Sequence, residues 1–304
     1  MELYATRCAI CDSEECYTVL YRKNFKESDL SIDLFSARRL PDRIHYQIVR
    51  CNKDGLIRSN PIIDQESIYD LYGKSRFTYE QEIENLTISY LDALKGVLPK
   101  LSVDAKILEV GCGNGFILKA LYKKGYKNVF GVEPSSEAVT KADKEIREKI
   151  TIDVLRPGIF TPNTFDFIFF FQTLDHIGDP GSFLRICHNL LPSRGYILAF
   201  NHDIESLPLR MLGSRSPIID IEHVYYFSKK TITKIFEKHG FSLIKVYSPA
   251  DVISLRHIIW LSPVFKRLKI RLLSLEKGIF HRILNKKIRI RVGNLCMIAT
   301  KTAN

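Results

Sequence analysis

Between residues 101 and 247 short apolar runs alternate with amphipathic stretches. Lys106–Val110, Val129–Val132, Ile150–Leu155, Phe165–Phe171 and Gly195–Phe200 read as strands. Phe165–Phe171 is almost continuously apolar, as a strand buried on both faces must be. Between them Gly115–Lys124, Ser135–Arg147 and Ser182–Leu191 read as helices, with Gly125 ending the first and Ser135 or Ser136 capping the second. Upstream, Ile83, Leu86, Ile88, Leu91, Leu94 and Val97 recur at helical spacing, which predicts a helix within residues 76–100 stopped by Pro99. Asn294–Thr300 reads as a final strand. Strands alternating with helices predict an α/β fold, doubly wound around a mostly parallel sheet.

Composition narrows the class. The 304 residues are 45% hydrophobic and 26% charged, ordinary values for a globular protein of one large or two modest domains. No apolar run approaches the length of about 18 residues that a membrane span requires. The first residues, MELYATRCAICDSEEC, lack the apolar segment of a secretory signal, so a cytoplasmic, reducing compartment is the default expectation, with thiols or metal ligands rather than disulfides. From Asp251 to Asn304 twelve Lys/Arg face two acidic residues, so this segment carries +10 of the net +11.

The sharpest local signal is Ile107-Leu-Glu109-Val-Gly111-Cys-Gly113-Asn-Gly115-Phe, where a strand runs into a glycine turn and then a helix. Glycines let a ligand approach the backbone, and the helix start offers unpaired N–H groups. The third glycine comes one residue too early for the G-x-G-x-x-G of dinucleotide binders, which points to a smaller ligand. Glu133 ends the next strand, where a carboxylate can accept hydrogen bonds from both hydroxyls of a ribose. Phe165-Asp166 leads into Gln172-Thr-Leu-Asp175-His176-Ile-Gly-Asp179-Pro, and Leu190-Leu-Pro-Ser-Arg-Gly195 follows.

In this order and spacing the four stretches resemble the class I S-adenosylmethionine-dependent methyltransferases over about residues 101–247. The resemblance implies a Rossmann-like sheet of seven strands. Glu109, Gly111, Gly113 and Gly115 would line the methionine end of S-adenosylmethionine, Glu133 would hold its ribose, and Gln172 is placed with the same ligand. Departures are Asp175 where Glu is usual and Arg194 before Gly195. Asp153 falls inside the predicted third strand rather than after it, which puts an adenine contact in doubt.

Methyl transfer from a sulfonium is an in-line displacement whose leaving thioether needs no proton, but an oxygen or carbon acceptor must lose one. Candidates for that base stand at the carboxyl edge of the sheet: His176, beside Asp175, His202, between Asn201 and Asp203, and His223 in Asp220-Ile-Glu222-His223-Val-Tyr-Tyr226-Phe-Ser228. His223 is preferred, because it lies in an insertion between strand and helix and the family has a similar E-H-x-x-x-F-S stretch.

Residues 1–75 hold Cys8-Ala-Ile-Cys11 and Cys51-Asn-Lys-Asp54-Gly55, two knuckle-like turns with Asp54 where a fourth Cys would complete a zinc ribbon. Cys16 or His45 are alternative fourth ligands. Residues 51–61 resemble the end of zinc-binding modules that precede many methyltransferase domains, including sugar C-methyltransferases, and a zinc ion held by Cys8, Cys11, Cys51 and Asp54 would be structural. At the other end, Ile258, Ile259, Trp260, Val264 and Phe265 mix with Lys266, Arg267, Lys269 and Arg271 in a basic insertion over about residues 250–290. It could rest on a membrane surface, cover the site or grip an anionic acceptor; nucleic acid is disfavoured, since no nucleic-acid-binding module is present. The expected organisation is thus a zinc-knuckle-like module over 1–75, a linking helix over 76–100 and a methyltransferase domain over 101–304, acting on an oxygen or carbon of a small-molecule, sugar or glycan-like acceptor. The rival readings are a non-catalytic binding protein on the same fold and a dinucleotide-dependent oxidoreductase.

Overall fold

The computed structural model describes residues 2–26, 44–73, 82–261 and 282–303. The strands used below are β1 (Tyr17–Tyr21), β2 (Ile48–Cys51), β3 (Ile57–Ser59), β4 (Ile107–Val110), β5 (Val129–Val132), β6 (Ile150–Thr151), β7 (Phe167–Phe171), β8 (Tyr196–His202), β9 (Tyr225–Tyr226), β10 (Phe241–Tyr247), β11 (Asp251–Ser254), β12 (Lys287–Ile290) and β13 (Asn294–Lys301). The helices are α1 (Ile83–Leu94), α2 (Phe116–Lys123), α3 (Pro180–Leu190) and α4 (Lys229–Lys238).

Seven strands form the central sheet in the order β10-β13-β8-β7-β4-β5-β6. Only β13 runs antiparallel to its neighbours, β8 and β10. The doubly wound, mostly parallel sheet expected from the sequence is therefore present, and Asn294–Lys301 is one of its inner strands. Every residue of β7 is buried. Phe167 and Phe169 pack toward α1 and α2, while Ile168 and Phe170 pack toward α3 and α4. At about 2 kcal/mol for each large apolar side chain removed from water, this strand anchors both layers.

Two predicted elements are shorter than the pattern suggested. Ser135–Arg147 divides into Ser136–Thr140 and Lys144–Arg147. The Arg147 guanidinium donates to the carbonyls of Thr140 (2.5 Å) and Ala142 (3.0 Å), which a continuous helix would have given to backbone N–H groups. The third strand stops at Thr151 instead of Leu155. Asp153 turns the chain there, because its Oδ1 accepts from the Val154 N–H (2.8 Å) and its Oδ2 from Arg156. Asp153 thus stands just after its strand, not within it.

A smaller sheet has the order β9-β3-β2-β1. Three of its strands come from the N-terminal region, but β9 lies between β8 and α4 in the chain. Ser228 caps α4: its Oγ accepts from Thr231 N–H (3.3 Å), and Thr231 Oγ1 accepts from Ser228 N–H (2.9 Å). The segment from Glu222 to Phe227 is therefore held from both sides, by a helix cap and by pairing with β3. A β11–β12 ribbon packs on α1, where the Val252 N–H donates to Ser89 Oγ (2.8 Å) and Arg289 pairs with Asp92 (2.5 Å). Lys266, Arg267, Lys269 and Arg271 of the basic insertion lie outside the described residues. Among the described residues no helix is long and apolar enough to cross a membrane.

Candidate active site

The carboxyl ends of β4, β5, β7 and β8 open into a cavity of about 700 Å³ that also reaches α1 and the β11–β12 ribbon. Its walls carry Gly111, Gly113, Glu133, Asp153 and Gln172 together with His176, His202 and His223.

The glycine turn is built for close approach. Gly111, Gly113 and Gly115 all have positive φ (+73°, +56° and +67°), which side-chain-bearing residues rarely adopt. A Cβ on Gly111 would lie 2.6 Å from Thr173 Oγ1. Gly115 does not reach the cavity: its missing Cβ makes room for Ile146, 2.6 Å away, behind the turn. Glu109 is also behind it, 2% exposed and off the cavity wall, and burial, followed by the charge of Glu133, pushes its carboxyl well above the usual range. The sequence thus identified four positions of one turn, of which the structure places Gly111 and Gly113 on the wall and Glu109 and Gly115 in support.

Glu133 points at the turn. Its Oε2 accepts from the Gly113 N–H (2.8 Å) and its Oε1 from the Ser135 N–H (2.9 Å). Each oxygen keeps a lone pair for a further donor. Burial raises the carboxyl above its ordinary value, and the two N–H groups pull the other way. Gln172, at φ +50°, directs Nε2 to Asn294 Oδ1 (3.2 Å), and its buried Oε1 has no hydrogen-bond partner among the described residues.

The three histidines predicted from separate stretches meet on one wall. The rings of His176 and His223 are 4.5 Å apart and those of His202 and His223 5.5 Å apart. His223 Nδ1 lies 2.7 Å from Asp220 Oδ1. Burial opposes its imidazolium, yet Asp220, Asp175 and Glu222 outweigh burial and push it up to about 9. His202 behaves oppositely. Burial lowers it to about 4, so it is neutral near pH 7. Its Nδ1 lies 2.9 Å from Asn294 Oδ1, while Asn294 Nδ2 donates to Asp251 Oδ2 (3.1 Å). The amide therefore presents its oxygen to His202, which fixes the proton on Nδ1 and leaves Nε2 as the basic nitrogen. Neither Asn294 nor Asp251 stood out in the sequence. A polar residue heading the apolar run 294–300 was the available signal. Tyr90, stacked on Phe171 with ring centroids 3.9 Å apart, also lines the cavity and lay hidden in the periodicity of α1.

At the N-terminal region Cys8, Cys11, Cys51 and Asp54 converge, with one potential ligand atom from each and all within 4.8 Å of one another. Cys11 Sγ and Cys51 Sγ are 3.5 Å apart, and Asp54 Oδ2 is 3.1 Å from Cys8 Sγ and 3.2 Å from Cys51 Sγ. Cys16 and His45 are not in the group; His45 Nδ1 meets the Tyr46 carbonyl at 2.7 Å.

The sequence profile of a methyltransferase domain matches residues 83–246. The chain belongs to the methyltransferase family. An uncharacterised methyltransferase of Geobacillus thermodenitrificans is 29% identical over 194 residues, 57% of this chain and 88% of that protein. A ubiquinone biosynthesis O-methyltransferase of Nitrosomonas europaea is 28% identical over 150 residues, 46% of this chain and 61% of that protein, so the chain spans about three-fifths of that relative's length. The structure of a proposed methyltransferase from Bacillus halodurans C-125 shares the fold, with a TM-score of 0.51 at 17% identity, covering 70% of this chain and all of that one. This methyltransferase is an enzyme of the S-adenosylmethionine-dependent class, and the family supports that methyl donor as its cofactor.

Proposed function

We propose that this methyltransferase transfers a methyl group from S-adenosylmethionine to a hydroxyl oxygen of a small-molecule acceptor. The observation that carries the reading is a single cavity lined both by Glu133 with the glycine turn and by three histidines. The residues fit the ligand: Gly111 and Gly113 would leave room for its methionine end, Glu133 has lone pairs for both ribose hydroxyls, Asp153 lines the same cavity and would be available to the adenine, and the buried Oε1 of Gln172 could accept a further hydrogen bond. When bound, S-adenosylmethionine supplies an electrophilic methyl on a sulfonium.

On the acceptor side His202 takes the proton from the attacking hydroxyl through Nε2. The methyl would then pass to that oxygen, with the electron pair of the broken carbon–sulfur bond left on the thioether. His176 and His223 position the acceptor oxygen. Apolar walls at Ile177, Ile186, Leu209 and Leu212 exclude water and receive the acceptor's carbon frame. The oxygen acceptor also draws support from the O-methyltransferase named among the relatives. Incubation with isotopically labelled donor and a panel of small hydroxylated compounds, followed by mass spectrometry and NMR of the product, tests it. A methyl on oxygen supports the reading, and a methyl on carbon or no product rejects it.

The same reading assigns Cys8, Cys11, Cys51 and Asp54 a structural zinc ion. Three thiolates and one carboxylate suit a tetrahedral site with no open position for chemistry. Burial pushes the Cys8 and Cys11 thiols up, so without a metal they stay protonated.

A further inference from the structure

One carboxylate beside the histidines has no side-chain hydrogen bond among the described residues. Asp175 is 2% exposed, and among the described residues neither of its oxygens has a hydrogen-bond partner. A buried carboxylate in that state needs a positive charge beside it, which the His223 imidazolium supplies while no metal is present and which a metal would supply in its place on displacing that proton. The Asp175 oxygens face two imidazole nitrogens, His176 Nε2 at 3.8 Å from Oδ1 and His223 Nε2 at 3.7 Å from Oδ2. These separations are too long for hydrogen bonds. They are close to the spacing of about 3 to 3.6 Å expected between ligand atoms that share one ion at about 2.1 Å each. One ligand atom from each of the three residues lies within 4.8 Å of the other two.

The surroundings hold this set in place. Asp220 engages Nδ1 of His223 at 2.7 Å and so turns Nε2 toward Asp175, the carboxylate–imidazole arrangement that orients a metal ligand. The Val224 N–H donates to the Asp175 carbonyl (2.8 Å), joining the two ligand segments directly. Ser59 Oγ donates to the His223 carbonyl (2.9 Å), fixing the same segment from β3. His176 and His223 reach the cavity wall, while Asp175 lies behind them.

We propose that Asp175, His176 and His223 bind a divalent cation whose open positions face the acceptor. Two imidazoles and one carboxylate suit a first-row ion such as Mn²⁺ and leave two or three positions open. Open neighbouring positions select an acceptor with two adjacent oxygens, such as a vicinal diol, a hydroxy-ketone or a catechol. The ion would stabilise the oxyanion as the proton leaves for His202, and no electron is exchanged with it. This inference rests on the methyl-transfer reading and narrows its acceptor.

The test uses the full-length protein saturated with S-adenosylhomocysteine and follows Mn²⁺ binding through loss of the free-ion EPR signal. Mn²⁺ disfavours thiolates, so the cysteine cluster does not compete. The wild type is expected to bind one Mn²⁺, and 4-nitrocatechol is expected to shift its visible absorbance only when Mn²⁺ is present. Asp175→Asn and His176→Gln should each weaken Mn²⁺ about tenfold or more while S-adenosylhomocysteine affinity stays within about twofold. His176 is at the rim of the cluster, with its side chain 20% exposed, and its variant serves if Asp175→Asn fails to fold. A wild type that binds S-adenosylhomocysteine but no Mn²⁺ up to about 1 mM overturns the metal site and leaves the donor site standing. Variants that bind Mn²⁺ as the wild type does overturn it equally. Failure of S-adenosylhomocysteine to bind at all overturns the underlying methyl-transfer reading instead.

Discussion

Asn294 meets His202 at 2.9 Å, and this contact sets which nitrogen of the imidazole is basic. The relationship spans 92 residues of sequence and links the antiparallel strand β13 to the parallel strand β8. Asn294→Leu should therefore lower kcat by about tenfold to a hundredfold through loss of the tautomer, and His202→Gln by about a hundredfold or more through loss of the base. His202→Gln should retain the donor affinity of the wild type, whereas Asn294→Leu also removes the partner of Gln172 Nε2 and should lower it by a few-fold. Steady-state kinetics beside calorimetry of S-adenosylhomocysteine binding separates the two effects.

The same network makes a prediction for stability against pH. His202 titrates near 4 when folded, against an ordinary 6.5, so the unfolded chain takes up a proton first. Its contribution is complete above pH 6.5 and is lost as pH falls toward 4. Asp251, raised by burial from 3.8 to about 6, does the reverse: the folded chain holds a proton that the unfolded chain releases. Its contribution, about 3 kcal/mol in size, is complete below pH 3.8 and is lost as pH rises through 6. The two slopes oppose each other between pH 4 and 6 in the wild type. Asp251→Asn should unmask His202, giving a denaturation midpoint that rises with pH across that window more steeply than in the wild type.

Gly111→Ala should damage donor binding more than stability. The new methyl would lie 2.6 Å from Thr173 Oγ1 at φ +73°, a strain of about 1–3 kcal/mol that the turn relieves by moving. A fall in S-adenosylhomocysteine affinity of at least about tenfold by calorimetry, with a folded circular-dichroism spectrum, is the expected outcome.

Loss of the proposed N-terminal zinc site should be felt at the histidines. The Cys51–Asp54 turn leads into β3, and Ser59 at its end donates to the His223 carbonyl. Cys8→Ser should bring zinc content, by elemental analysis, from about one per chain to near zero, lower the unfolding temperature and reduce kcat more than donor affinity.

Much of the fold was legible because its signals are local. The β7 run Phe167–Phe171 and the glycine turn declare themselves within a few residues. The short third strand was not legible, since Asp153 ends it through a side-chain bond to the Val154 N–H that competes with strand pairing. The histidines could be named one at a time, but their meeting could not, because Val224 pairs with Asp175 and Ser59 with His223 across long stretches of sequence. Asn294 was hidden for the same reason: its partners lie on β8, on β11 and after β7.

The central claim is that Glu133 and the glycine turn hold the methyl donor. Isothermal calorimetry of S-adenosylmethionine with the wild type and Glu133→Ala tests it most directly. The account predicts one site per chain in the wild type and a loss of about tenfold or more in the variant, since two charge-assisted hydrogen bonds to the ribose disappear. No binding heat in the wild type, or equal affinity in the two proteins, would contradict it.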